Sequence, residues 1–162
     1  MATRETPFQT ELVQDMTAKG MHAFKASHRE KTGVVDLWVR CPDVGAWIEC
    51  KFMNIKPSFR TEKVSMTRPQ WSFMEKERKA GGVTAKIIGY RQETTGHDRH
   101  GLLLCDPQFQ DTQVMRAWID DTKHPSHIVK HRGGSWPVEI IMARIAHMHA
   151  GFLPWAHLER EE

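Results

Sequence analysis

At 162 residues, 40% of them hydrophobic and 27% charged, the chain has the length for one domain with a real core and a composition that excludes intrinsic disorder. Its net charge of +3, with ten histidines uncounted, hints at an anionic partner. Cys41, Cys50 and Cys105 form no CxxC and no paired framework, so they read as reduced thiols. The first residues lack the apolar stretch of a signal peptide and no run reaches membrane-spanning length, so a cytoplasmic protein with no membrane partner is expected.

In chain order, residues 7–19 place Phe8, Leu12, Val13 and Met16 at helical spacing, with Glu11 beside the apolar stripe and Gly20 as the stop. Residues 21–27 alternate weakly and predict a first strand, followed by a charged turn over 28–32. Residues 34–39 and 46–52 are short apolar segments separated by Pro42, Asp43, Val44 and Gly45, which predicts a β-hairpin. Residues 53–66 hold Pro57 but no sustained period and are expected to form a loop. At 67–70, Thr-Arg-Pro-Gln reads as a capped helix start, and that helix runs to Gly81 and Gly82. Strands are predicted over 83–90 and 101–105, across a polar turn. Helices are predicted over 111–122 and 138–149, and 123–137 is expected to be irregular or a short strand. This order is an α/β sandwich around a central mixed sheet.

The hairpin carries the chemistry. Strand side chains alternate, so Glu49 and Lys51 share one face while Ile48 and Cys50 take the other. Asp36, between Val35 and Leu37, joins them from the neighbouring strand. Two carboxylates suit a hard divalent cation, and a nearby ammonium can offset charge building on a phosphoryl oxygen. An E-x-K triplet alone is ordinary for a solvated strand face. Asp36 at the right parity, the apolar opposite face and the capped helix that follows set this one apart.

Glu11 in a first helix, Gly33-Val34-Val35-Asp36, Ile48-Glu49-Cys50-Lys51 and Thr67-Arg68-Pro69-Gln70 together resemble the PD-(D/E)xK nuclease superfamily, most of all its VRR-NUC and Holliday-junction-resolvase-like branches. The similarity covers about residues 7–90. Val35 stands where the motif's name has proline. The resemblance implies a restriction-endonuclease-like core, αβββαβ, over about 7–105 of a single 1–162 nuclease domain, with a helical C-terminal extension over about 106–162. It implies a Mg²⁺- or Mn²⁺-dependent DNA endonuclease in which Asp36, Glu49 and the Cys50 carbonyl hold the metal, assisted by Glu11. Lys51 would be the catalytic lysine, and Gln70 would orient it or the phosphate. Branched DNA, a homodimer and a phage or mobile-element setting, with action in the host cytoplasm, belong to the same expectation.

Eight basic residues against three acidic ones over 51–79 give a local excess of +5, larger than the +3 of the whole chain. Lys56, Arg60, Lys63 and Arg68, extended by Lys25, Arg29 and Lys31, would hold a phosphate backbone without reading bases. Phe59 and Trp71 border this stretch and offer stacking to an unpaired base, although a tryptophan one residue into a helix is more often core. Two rival readings stand beside the nuclease. One is a catalytically silent nuclease-like fold that binds nucleic acid or protein; the other is a zinc site built from His124, His127 and His131.

Overall fold

A computed structural model of the chain describes residues 5–26, 34–94, 97–131 and 133–156. Its elements in chain order are α1 (Glu5–Ala18), β1 (His22–Lys25), β2 (Leu37–Arg40), β3 (Gly45–Ile55), β4 (Thr61–Ser65), α2 (Arg68–Lys79), β5 (Val83–Thr94), β6 (His97–Cys105), β7 (Asp111–Met115), α3 (Arg116–Asp120), β8 (His127–Lys130) and α4 (Val138–His149). Six strands form a mixed sheet in the order β1-β2-β3-β5-β6-β8, and β4 pairs with β7 in a separate two-stranded sheet. Only β3 and β5 run parallel in the large sheet. The chain passes between them through β4 and α2, the crossover that parallel neighbours require. A central mixed sheet flanked by helices is therefore the architecture, as expected.

Alternation along the strands sorts the core onto two faces. On one, Leu37, Ile48, Cys50, Ile87 and Leu102 meet Phe8, Leu12 and Met16 of α1 and Ile141, Ile145 and Met148 of α4. Each such side chain, fully buried, contributes roughly 2 kcal/mol. On the other face, Met53, Ile55, Ile88 and Leu103 pack against Val64 of β4, Val114 of β7 and Trp118 and Ile119 of α3. A smaller cluster of Val35, Met66 and Met74, with Trp47, Trp71 and Phe73 against it, lies beneath α2.

The hairpin forms as expected, closed by reciprocal bonds between Cys41 and Val44 (2.9 and 3.3 Å) around Pro42 and Asp43. The start of α2 is a full capping box: Thr67 Oγ1 accepts from the Gln70 N–H (3.3 Å), and Gln70 Oε1 accepts from the Thr67 N–H (2.9 Å). The helix ends at Gly81, whose φ of +89° suits glycine. Thr67→Ala is expected to cost about 1 kcal/mol in urea unfolding, and an unchanged midpoint would show that water replaces the cap without loss.

Three expectations are corrected. Residues 53–66 are not a loop, because β3 continues to Ile55 and β4 occupies Thr61–Ser65. Residues 111–122 are not one helix, because 111–115 form β7, with Val114 opposite Glu62, and only Arg116–Asp120 is helical. Spaced apolar residues such as Val114, Met115, Trp118 and Ile119 satisfy either period over so short a run, and the partner strand decides. The 83–90 and 101–105 strands also run further, pairing out to Thr94 and His97. The charged turn predicted over 28–32 lies outside the described residues.

Candidate active site

The β2 to β3 register ends at Leu37 opposite Ile48. Asp36 sits one residue before β2 rather than within it, and its backbone carbonyl accepts from the Ala26 N–H at 2.8 Å. Past the last pair, the Cys50 N–H has no strand to meet. Asp36 Oδ2 takes that bond at 2.8 Å, fixing the carboxylate against the open edge of β3. Because the N–H and C=O of one strand residue leave by the same edge, the Cys50 carbonyl faces the side where Asp36 stands.

Glu49 projects from the same face and is 0% exposed. Lys51 Nζ pairs with its Oε1 at 3.0 Å, and the Asp36 carboxyl also bonds to Glu49. A carboxylate this buried is costly even when paired. Burial, and then the charge of Asp36, push the Glu49 carboxyl up to about 8 despite Lys51. Asp36 is raised as well, by burial against the opposing pull of the Cys50 N–H and Lys51. Burial by itself would lower the Lys51 ammonium, but Glu49, Glu5 and Asp36 outweigh it and the net shift is upward. The Cys50 thiol is driven well up by burial and the neighbouring carboxylates, so only its backbone is available for chemistry.

The helix side chains near this centre are not the one the sequence singled out. Glu5, raised mainly by burial, feels both Lys51 and Asp36, and Gln9 bonds to the Asp36 carboxylate. They stand one turn apart on α1. Glu11 is two residues past Gln9, about 200° round the helix, and forms an ion pair with Lys130 of β8 instead. The expectation that Glu11 stands beside Asp36 and Glu49 is thereby corrected; Glu5 and Gln9 are the α1 side chains near them. Their only signal was the helical spacing of i and i+4, which needs the direction of the helix to be read. Lys86 was also missed. It is paired in register with Glu49 and fully buried, and its Nζ donates to the Phe109 and Gln110 carbonyls at 3.2 and 3.3 Å. Burial lowers its pKa. A lysine inside the apolar run 83–90 was the available hint.

Gln70 spends its side-chain oxygen on the α2 cap. Lys56, Arg60, Lys63 and Arg68 are exposed on β4 and its flanks, and exposed Lys25 donates to Thr10 Oγ1 at 2.6 Å. Arg29 and Lys31 lie outside the described residues. Trp71 is half-buried, with its Nε1 donating to the Gln108 carbonyl at 2.9 Å, and Phe59 is half-buried against the second core face, so both are packing residues. The histidine set does not assemble. His127 is buried, its Nε2 2.5 Å from the Tyr90 hydroxyl and its Nδ1 2.9 Å from the Asp121 carbonyl, while His131 is exposed past the end of β8.

Among the described residues no group of three or more His, Cys, Asp or Glu side chains could hold a metal. Two carboxylates with a backbone carbonyl can, provided water and a substrate phosphate complete the shell, which is the habit of Mg²⁺ and Mn²⁺. Glu49 and Asp36, two carboxylates buried beside a single ammonium, fit that role. No helix among the described residues is long and apolar enough to cross a membrane.

No family model and no curated protein sequence matches the chain. Among solved structures it is similar to that of Archaeoglobus fulgidus Hjc, a Holliday junction resolvase from an archaeal hyperthermophile, with a TM-score of 0.46 and 11% sequence identity, covering 69% of this chain and 88% of that chain.

Proposed function

We propose that this protein is a divalent-cation-dependent DNA endonuclease that hydrolyses phosphodiester bonds. The observation that carries the reading is Glu49, fully buried beside Asp36 and paired with the Lys51 ammonium at 3.0 Å, its carboxyl pushed up to about 8. One ammonium leaves two buried carboxylates short of positive charge, and a divalent cation would supply it.

Asp36, Glu49 and the Cys50 carbonyl would hold Mg²⁺ or Mn²⁺, which when bound supplies Lewis acidity at the phosphate and lowers the pKa of water. Asp36 is kept in place by the Cys50 N–H, so the two carboxylates keep their separation without help from substrate. Lys51, held charged by three carboxylates, offsets the negative charge that grows on the phosphoryl oxygens and orients the attacking water. Glu5 and Gln9 position Lys51 and Asp36 from α1. The exposed cations Lys56, Arg60, Lys63 and Arg68 hold the backbone of the nucleic acid, an interaction weakened by salt. Branched DNA as substrate, a homodimer that cuts two strands, kinship with VRR-NUC enzymes and action in the cytoplasm, that of a host if the gene is phage-borne, complete the proposal.

The test is cleavage of labelled junction, flap and linear DNA, and of RNA, with Mg²⁺ or Mn²⁺. The wild type is expected to cut at least one DNA structure, with Lys51→Ala slower by about 10³-fold or more. Equal rates in the two proteins, or no cutting of any substrate by the wild type, would overturn the assignment and leave a binding module.

A further inference from the structure

The sheet face of Glu49 and Lys51 continues past them into a row of aromatic side chains. Trp47 stands two residues before Glu49 on β3, so alternation puts it on the same face. It pairs in register with Trp38, two residues past Asp36, and Phe24 of β1 pairs with Trp38 in turn. The two indoles meet at 5.0 Å, ring centre to ring centre, and Phe73 of α2 meets Trp47 at 5.2 Å, edge to face. These rings are open to solvent: Phe24 is 42% exposed, and Trp38 and Trp47 are half-buried.

Three features define what fits. Trp38 lies over Gly45, where a Cβ would come within 3.0 Å of its ring and 3.3 Å of Arg40 Nη1. The missing side chain lets the indole and the guanidinium settle side by side against β3. Next, the positions of β1 and β2 on this face are His22, Phe24, Trp38 and Arg40, and those of β3 before Glu49 are Gly45 and Trp47. They hold rings and an arginine but no carboxylate, the chemistry that suits a single nucleic-acid strand. Finally, the face is closed in other directions. Past Lys51, Met53 and Ile55 are buried against β4 and β7. Toward β5, Lys86 is paired with Glu49 and buried where its Nζ meets the Phe109 and Gln110 carbonyls. Within the sheet, the direction toward β2 and β1 is the one left to a strand that meets Lys51.

We propose that Trp38, flanked by Phe24 and Arg40, stacks on an unpaired base of the strand whose phosphate is held at Asp36, Glu49 and Lys51. Trp47, held by Phe73, backs this platform from β3. The proposal rests on the nuclease reading above and narrows its substrate class. A base inside a duplex must first give up its own stacking and pairing, a cost that falls where it is already single-stranded. The enzyme therefore favours DNA with a single-stranded segment beside the cut over continuous duplex.

The experiment measures binding in EDTA, where hydrolysis plays no part, to a duplex with a single-stranded tail of either thymidines or abasic residues. The two tails carry the same phosphates and differ only in their bases. The wild type is expected to bind the thymidine tail about tenfold more tightly, the size of one stacking contact. Trp38→Ala is expected to cut that preference to about twofold or less without weakening the abasic complex, and Trp38→Phe to keep most of it. Phe24→Ser, at the exposed edge of the row, is expected to lower it in part. Circular dichroism checks that each variant folds. Equal wild-type affinity for the two tails, or a folded Trp38→Ala with the full preference, would overturn the proposal; if the alanine variant does not fold, the full preference in Phe24→Ser would do so. So would a wild-type dimer that Trp38→Ala splits in gel filtration, because a second copy would then cover the row. Base preference without cleavage of any substrate would defeat the nuclease reading alone, and cleavage without base preference would defeat the stacking platform alone.

Discussion

Glu49→Gln is expected to abolish cleavage and, in the same protein, to flatten the pH dependence of stability. The second effect follows from linkage. The free carboxyl titrates near 4.5, whereas in the fold burial and Asp36 hold it at about 8. Between those values the native state keeps a proton that the unfolded chain releases, so stability is greatest at the acid end and falls as pH rises through about 8. Asp36 is raised too and steepens the fall. For the metal-free wild type the loss is on the order of a few kcal/mol, or roughly 5–10 °C in melting temperature. Glutamine cannot ionise, so the variant's melting temperature is expected to fall less over that window, keeping only the part that Asp36 contributes. A divalent cation competes with the same proton, so the stabilisation that Mg²⁺ or Mn²⁺ gives the wild type should grow with pH up to about 8 and vanish in the variant. The loss of cleavage should reach about 10³-fold, near 4 kcal/mol at the barrier. Thermal melts at pH 5 to 8, with and without cation, read the linkage directly. A slope in Glu49→Gln equal to that of the wild type would remove Glu49 as its source.

Gly89→Ala should be among the most damaging small substitutions in the sheet. A Cβ there would lie 2.6 to 2.8 Å from ring atoms of Phe8, closer than carbon atoms approach. Phe8 has nowhere to go, because it is 3% exposed and wedged between Phe52 and Trp136. The overpacking cost is about 1–3 kcal/mol, at the upper end here because the contact is with a ring rather than a flexible chain end. Phe8→Ala removes a buried ring and should cost about 3–5 kcal/mol. In the double variant the new methyl enters the space the ring has left, so the combined loss should fall short of additivity by about 1 kcal/mol or more. Chemical denaturation of the four proteins supplies the cycle, and strict additivity would mean that α1 shifts instead of resisting. That distinction bears on the site, since α1 carries Glu5 and Gln9 to Asp36 and Lys51, and a shift of the helix would show as lost activity beyond the lost stability.

Much of the local structure was readable from the residues alone. The hairpin, the shared face of Glu49 and Lys51, the capping box at Thr67 and Gln70, and the helices at α1, α2 and α4 depend on interactions within a few residues, where side-chain period and turn chemistry leave few alternatives. The charged set Asp36, Glu49 and Lys51 was legible for the same reason: parity within strands and one short turn fix which side chains share a face.

Other features depend on partners distant in sequence, and there the residues left the choice open. β4 and β7 exist because Thr61–Ser65 meets Asp111–Met115 about 50 residues later, and neither run alone has a period that compels a strand. Asp36 settles at the Cys50 N–H because β2 stops pairing at Leu37, which leaves that donor open. The rotation of α1 about its axis, set by packing Phe8, Leu12 and Met16 into the sheet, turns Glu5 and Gln9 toward the carboxylates and Glu11 toward Lys130. Thus the sequence determined which acids and which lysine can share a sheet face, a matter of two-residue alternation. Only the tertiary structure decided that Glu49 would be stripped of water, because desolvation comes from the layers packed around a residue and not from its neighbours in the chain.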